Sequence, residues 1–155
     1  MSADRIEKSV VLAAPRPAVW RALTRAEEFS AWFGATMTGP FVPGATVTGR
    51  ITYPGYEHLT MTMVIERVEP EHLFSYRWHP NAIDPEANYS DEPMTLVEFR
   101  LTEVAGGTQL TVVESGFDGI PLARREQAFR ENDGGWTEQM SNITRYLANG
   151  APEAR

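Results

Sequence analysis

The sequence predicts an α+β protein in which a curved antiparallel sheet of six strands wraps around one long C-terminal helix. A first strand is followed by two short helical stretches, and five further segments then alternate apolar and polar residues. From Ile120 to about residue 149 the pattern becomes helical. Because a sheet with one apolar face must bury that face, and the last helix is the only predicted element long enough to cover it, the two should pack together.

Composition sets limits on the class of protein. A chain of 155 residues with 42% hydrophobic residues is enough for one domain with a core, which we place at 1–150, followed by a disordered tail at 151–155. The net charge of -7 argues against nucleic acid and anionic membranes as partners. The lack of cysteine excludes disulfides, thiolate metal sites and a cysteine nucleophile. With no signal-like or membrane-spanning apolar stretch, a cytoplasmic protein is expected.

The N-terminal region predicts one strand and two helices. Apolar and polar residues alternate from Ile6 to Leu12, as in a half-buried strand. The stretch "APRPAVWRALTRAEEFSAWFG" then predicts two short helices between strands 1 and 2. Pro15 or Pro17 suits a first helical turn, and Gly34 suits a C-terminal stop.

The other five strands are predicted at 45–55, 59–70, 72–80, 94–104 and 108–117. The short connections "EPEH" and "AGG" indicate hairpins. In the third of these strands, one face carries the aromatic row Phe74, Tyr76 and Trp78, and the other carries Arg77 and His79. The aromatic row facing inward is one option, but a register slip of one residue would turn Arg77 and His79 inward instead.

The last helix carries an apolar stripe that should face the concave side of the sheet. Trp136, Met140, Ile143 and Leu147 lie at i, i+4, i+7 and i+11, which is one face of a helix. Gly134 and Gly135 precede this stripe, and each costs about 1 kcal/mol in a helix interior. A kink or two abutting helices is therefore expected at these glycines.

Four stretches in this order resemble a known family: "APRPAVWRALTRAEEFSAWFG", "VEPEHLFSYRW", "LTEVAGGTQLTVVESGF" and "GGWTEQMSNITRYL". They are similar to the AHSA-like family, named for activators of the heat-shock-protein-90 ATPase, within the START-like or SRPBCC helix-grip superfamily. The resemblance implies a cavity between sheet and helix, where members often bind apolar or amphipathic small molecules. Some relatives are aromatases and cyclases. The eukaryotic chaperone activators carry a further N-terminal domain, for which this chain has no room. A histidine is frequent in the family where this sequence has Glu114.

The candidate ligand-binding residues combine an apolar wall with two polar groups that would orient a ligand, the Tyr76 hydroxyl and the Glu114 carboxylate. The full set is Trp32, Phe74, Tyr76, Trp78, Phe99, Glu114, Trp136 and Met140. For the aromatic row and for Trp136 and Met140, ordinary core packing is the alternative. For Glu114, which lies in phase with Leu110 and Val112, the alternative is an exposed position at the rim.

A binding protein for a hydrophobic or amphipathic small molecule is the favoured function, and two others remain open. An enzyme on the same fold would use Glu114 as acid or base in a dehydration, cyclisation or hydrolysis. That requires Glu114 to be buried, near a second polar group and open to the cavity, and Arg50, Arg77 or Arg100 could balance its charge. An interaction module, with a chaperone or another protein as partner, would expose an apolar patch around Trp32 and Phe33.

Other sites lack support in the sequence. His58, His72 and His79 have no metal-ligand spacing, and neither a serine-nucleophile elbow nor a phosphate-binding loop is present. No metal and no cofactor are therefore predicted. The acidic stretch 81–93 is either a solvated surface or a lid over a pocket, and an edge strand could pair two copies into a homodimer.

Overall fold

The computed structural model describes residues 5–80, 89 and 92–148. Within these residues a seven-stranded antiparallel sheet has the strand order β1-β7-β6-β5-β4-β3-β2. The elements in chain order are β1 Arg5–Leu12, α1 Arg16–Thr24, α2 Ala26–Phe33, β2 Ala35–Met37, β3 Thr46–Ile51, β4 Thr60–Glu69, β5 Leu73–Trp78, β6 Thr95–Val104, β7 Gly107–Ser115, a 3-10 turn Phe117–Gly119, and α3 Leu122–Ala148. The predicted α+β arrangement, with two helices between the first two strands and a long C-terminal helix, is confirmed.

The number of strands was predicted wrongly, since the sheet has seven strands and not six. The additional strand is β2, whose three residues are too few to show an alternating pattern. It starts directly after Gly34, which ends α2 in the left-handed conformation. It pairs with the end of β3, where Gly49 permits a close approach because a Cβ there would lie 2.3 Å from the Thr36 carbonyl oxygen.

The aromatic row of β5 faces the core. Phe74 and Tyr76 are fully buried, and Trp78 is half-buried. Arg77 is exposed on the opposite face, where its Nε donates to Glu66 at 3.0 Å. The alternative register, with Arg77 inside, is therefore excluded.

Helix α3 runs from Leu122 to Ala148 as one helix, so two abutting helices do not meet at Gly134 and Gly135. A kink at these glycines stays a prediction. The predicted stripe is confirmed: Trp136, Met140 and Ile143 are buried, and Leu147 packs against them. Burial of this face outweighs the helix-propensity cost of the glycines, because tertiary packing supplies most helical stability in proteins. No helix in the described ranges is long and apolar enough to cross a membrane.

The end of α2 is held against the sheet and α3 by aromatic contacts. Trp32 is buried, and its indole N–H donates to the Ala22 carbonyl at 2.8 Å. The ring of Phe33 lies 6.1 Å from those of both Trp78 and Trp136. This places the last turn of α2 beside the head of the α3 stripe, where the open space described below begins. The predicted tail 151–155 and most of the predicted lid, 81–88 and 90–91, lie outside the described residues.

Candidate functional site

A cleft of about 630 Å³ opens between the end of α2, the β3–β4 connection, the end of β5 and the middle of α3. Aromatic side chains from all four parts line it: Phe33, Tyr53, Tyr56, Trp78 and Trp136. Tyr53 and Tyr56 are largely exposed, and their ring centroids lie 5.9 Å apart. These two residues form the mouth of the cleft, and the two tryptophans form its floor.

Polar side chains on α3 face the same space and are tied to their surroundings. Gln139 Nε2 donates to the Phe33 carbonyl at 2.8 Å, which joins α3 to the end of α2. Asn142 Nδ2 donates to Gln139 Oε1 at 3.0 Å. At the mouth, the Tyr53 hydroxyl donates to Glu138 Oε2 over a longer 3.4 Å. The remaining polar groups of the wall are His58, Thr60, Thr62, His79, Tyr89 and Asn132.

Directly beneath the floor lies Glu114, with 0% of its surface exposed. Its Oε2 accepts from Trp78 Nε1 at 2.8 Å and from the Thr95 hydroxyl at 2.5 Å. Its Oε1 accepts from Trp136 Nε1 at 2.8 Å, and Asn132 Nδ2 reaches both oxygens at 3.0 and 3.2 Å. Five hydrogen bonds from three elements therefore converge on one buried carboxylate, and we call this set the Glu114 network.

The environment of Glu114 differs from two expectations. It does not lie at an exposed rim, and none of the hydrogen bonds of the network comes from an arginine. Arg77 bonds to Glu66, and Arg100 bonds to Glu98. The carboxylate is instead met by neutral N–H and O–H donors, which replace the hydration that it loses on burial. Two of the three conditions for an acid or base are met, but the carboxylate is sealed from the cleft.

Tyr76 lies in the core, not in the cleft wall. Burial raises the pKa of its phenol well above the usual value of 10.0, and the negative charge of Glu114 adds to the shift. Its buried hydroxyl has no hydrogen-bond partner within the described part of the chain. Tyr76 is therefore a neutral phenol at ordinary pH, and its hydroxyl does not reach a cleft ligand in this arrangement.

The eight candidate ligand-binding residues fall in four places. Trp78 and Trp136 line the cleft, Glu114 lies beneath it, and Met140 lines a separate groove between β1 and α3. The other four belong to the sealed core: Trp32, Phe74, Tyr76 and Phe99. That these residues bind a ligand stays a prediction.

Several wall residues were not anticipated from the sequence. Tyr53 and Tyr56 flank Gly55 in a turn. Two large aromatic residues in an exposed turn could have indicated a binding site at this position. Asn132 precedes Trp136 by four residues, which places both on one helical face. Among the residues that the structure describes, no group of three or more His, Asp or Glu side chains could hold a metal ion.

Comparison with known sequences places the chain in a family. The model of the family described as "Activator of Hsp90 ATPase homolog 1-like protein" matches residues 13–148. The chain belongs to this family. The stretches that suggested the resemblance lie within the matched region, so that identification is confirmed. No curated protein matches the sequence.

Solved structures show the same fold. DynU16, described as a protein of the dynemicin biosynthetic locus, is 25% identical with a TM-score of 0.74, and the match covers 99% of this chain and 51% of that chain. This chain therefore spans about half the length of DynU16. MLL2253 from Mesorhizobium loti is 20% identical with a TM-score of 0.75, covering 94% and 98% of the two chains. The Aha1 dimer from Colwellia psychrerythraea is 16% identical with a TM-score of 0.72, covering 96% and 99%.

Proposed function

We propose that the protein binds a hydrophobic or amphipathic small molecule in the cleft between the sheet, the end of α2 and α3. The observation that carries the proposal is the cleft itself, about 630 Å³ in volume and walled by aromatic rings from four parts of the chain. Sites for small molecules are typically clefts of about 300–1,000 Å³ with apolar walls and a few polar groups.

The floor of the cleft is pre-organised. Trp78 and Trp136 each donate their indole N–H to Glu114 at 2.8 Å, which fixes the orientation of both rings. Their ring centroids lie 5.8 Å apart. Because these side chains are already ordered, a ligand that stacks on them loses little affinity to the ordering of the wall. Affinity would come from the aromatic surface, and orientation from the polar groups on α3.

Gly135 gives access to this floor. It lines the cleft in the middle of α3, and a Cβ placed there would meet no atom within 4 Å. Gly134 is equally unobstructed but does not line the cleft. The two glycines therefore form a matched pair, since a leucine at either position makes a similar change to the helix and only one of them fills the cleft.

The proposal is tested with native mass spectrometry and a neutral probe. A small-molecule mass present in the native spectrum of the purified protein and absent after denaturation would identify a bound ligand. Nile red, followed by fluorescence, should bind the wild-type protein and Gly134→Leu alike, and bind Gly135→Leu at least about tenfold more weakly. Equal binding to both variants, together with a native spectrum free of ligand, would overturn the proposal.

The other functions have less support in this structure. The patch that would mark an interaction module is not formed at Trp32, which is 4% exposed. An acid or base role for Glu114 needs an opening that its burial does not provide. A homodimer stays a proposal: the Colwellia relative is described as a dimer, and β1 and β2 are the edge strands of this sheet. The cytoplasmic location also stays a prediction.

A further inference from the structure

The Asp, Glu, Lys and Arg side chains of the cleft wall sum to a negative charge. Among the described residues that line it, Glu138 is the single acidic side chain, and there is no lysine or arginine. Two histidines, His58 and His79, also line it. Arg124 lies 4.8 Å from the centroid of the ring of Tyr89, a lining residue, and it pairs with Glu92 at 2.7 Å, so its charge is already balanced.

The floor adds a second negative charge. Glu114 lies under Trp78 and Trp136 and is held by uncharged donors, so no adjacent cation in the network cancels its charge. Both indole N–H groups point at this carboxylate. The edges of an aromatic ring are positive and its faces negative, and here the N–H edges are engaged. Since Trp136 is 2% exposed, the half-buried ring of Trp78 supplies most of the indole surface that the cleft offers. The negative face of such a ring favours a cationic ligand over an anionic one.

Four side chains of the wall direct hydrogen-bond donors at protein acceptors. The side-chain amides of Asn132, Gln139 and Asn142 donate to Glu114, to the Phe33 carbonyl and to Gln139 Oε1 respectively. The Tyr53 hydroxyl donates to Glu138. A ligand carboxylate, which only accepts hydrogen bonds, would therefore find these four donors directed at protein acceptors, and the Glu138 carboxylate at the mouth would repel it.

We infer that the cleft, if it binds small molecules as proposed above, takes a cationic amphiphile: an apolar body with a protonated amine or quaternary ammonium group. The apolar body lies on Trp78 and Trp136. The cation lies at the mouth, between the Glu138 carboxylate and the rings of Tyr53 and Tyr56. This inference depends on the proposed function and specifies the ligand class of the same site.

Three probes that share one ring system test the inference: 2-(1-naphthyl)ethylamine, 2-(1-naphthyl)ethanol and 1-naphthylacetic acid. Each is titrated at pH 7.5 into the ¹⁵N-labelled protein, and the indole N–H signals of Trp78 and Trp136 are followed by NMR. The amine should bind about tenfold more tightly than the alcohol, and the carboxylate more weakly than either. The indole signals of Trp20 and Trp32, which do not line the cleft, serve as internal controls.

Variants locate the cation. Glu138→Gln should weaken the amine severalfold and leave the alcohol unchanged, whereas Glu126→Gln, an exposed residue of α3 outside the cleft, should change neither. Tyr53→Leu should weaken the amine, and Tyr53→Phe, which keeps the ring, should weaken it less. An amine preference that is unchanged in both Glu138→Gln and Tyr53→Leu would overturn the placement at the mouth.

The outcomes separate this inference from the proposed function. If the alcohol or the carboxylate binds as tightly as the amine, the inference is overturned and the proposed function stands. If none of the probes shifts the Trp78 and Trp136 signals and Nile red does not discriminate Gly135→Leu from Gly134→Leu, both are overturned.

Discussion

Two carboxylates on opposite sides of the Trp78–Trp136 pair have opposite environments. Glu114, beneath the pair, is fully buried and accepts five hydrogen bonds. Glu138, at the mouth of the cleft, is exposed and has a 3.4 Å contact with the Tyr53 hydroxyl. The first is part of the scaffold that fixes the cleft floor, and the second keeps the capacity to interact with a ligand. A functional carboxylate in this fold is therefore better sought by its access to the cleft than by its burial.

Glu114 can be buried only because both of its carboxylate oxygens accept hydrogen bonds in the Glu114 network. A carboxylate moved out of water loses its hydration, and hydrogen bonds from the protein must replace it. Here the donors are the indoles of β5 and α3, the Thr95 hydroxyl of β6 and the Asn132 amide of α3. Since these elements are joined through one side chain, Glu114 links α3 to the centre of the sheet.

The same substitution at the two carboxylates should give very different losses of stability. Glu114→Ala leaves four donor side chains without their acceptor and creates a cavity, so we expect the free energy of unfolding to fall by about 4 kcal/mol. Glu138→Ala removes an exposed side chain and should change it by less than about 0.5 kcal/mol. Chemical denaturation followed by circular dichroism measures both.

A milder variant covers the case in which Glu114→Ala does not fold. Glu114→Gln keeps the shape but turns an amide N–H₂ toward the donors, and it should lose about 2 kcal/mol. A loss below about 0.5 kcal/mol in this variant would contradict the assignment of Glu114 to the scaffold and would remove the contrast with Glu138.

The ionisation of Tyr76 provides a second test of the buried residues, through the pH dependence of the free energy of unfolding. Its pKa is raised in the folded protein, by burial first and then by the charge of Glu114. Ionisation of the phenol therefore disfavours the folded state: it costs no stability at pH values below about 10, and stability is lost as the pH rises from the unfolded pKa toward the folded one. Stability should fall above pH 10 by up to about 1.4 kcal/mol per pH unit from this residue.

Tyr76→Phe isolates that contribution. The variant should show a shallower loss of stability above pH 10, measured by denaturant titration at a series of pH values. At pH 7 it should be at least as stable as the wild type, because the hydroxyl it removes has no hydrogen-bond partner among the described residues. If stability falls equally steeply above pH 10 in both proteins, the pKa of Tyr76 is the same in the folded and the unfolded state.

Features that depend on periodicity could be predicted from the sequence. The inward row of β5 and the stripe headed by Trp136 both follow from the repeat of a strand or a helix. The in-phase position of Glu114 with Leu110 and Val112 indicated an inward side chain, but its burial could not be decided, since its donors come from three separate elements. The mouth was missed because Tyr53 was assigned to the predicted strand 45–55, which in the structure ends at Ile51, and because Tyr56 lies in a connection without periodicity.

Substitutions at Gly134 and Gly135, within helix α3, should give the smallest changes in the free energy of unfolding. They also allow two neighbouring positions to be compared directly. Alanine at either position should raise the free energy of unfolding by about 0.5–1 kcal/mol, because it restricts the unfolded backbone and meets no atom within 4 Å. Thermal denaturation of the two variants should therefore agree, while Nile red binding should fall slightly in Gly135→Ala alone. A destabilised Gly135→Ala beside a stabilised Gly134→Ala would mean that the cleft closes on Gly135 in solution. Two equal gains in stability would mean that the glycine at 135 is not required by the fold, which leaves access to the tryptophan floor as its role.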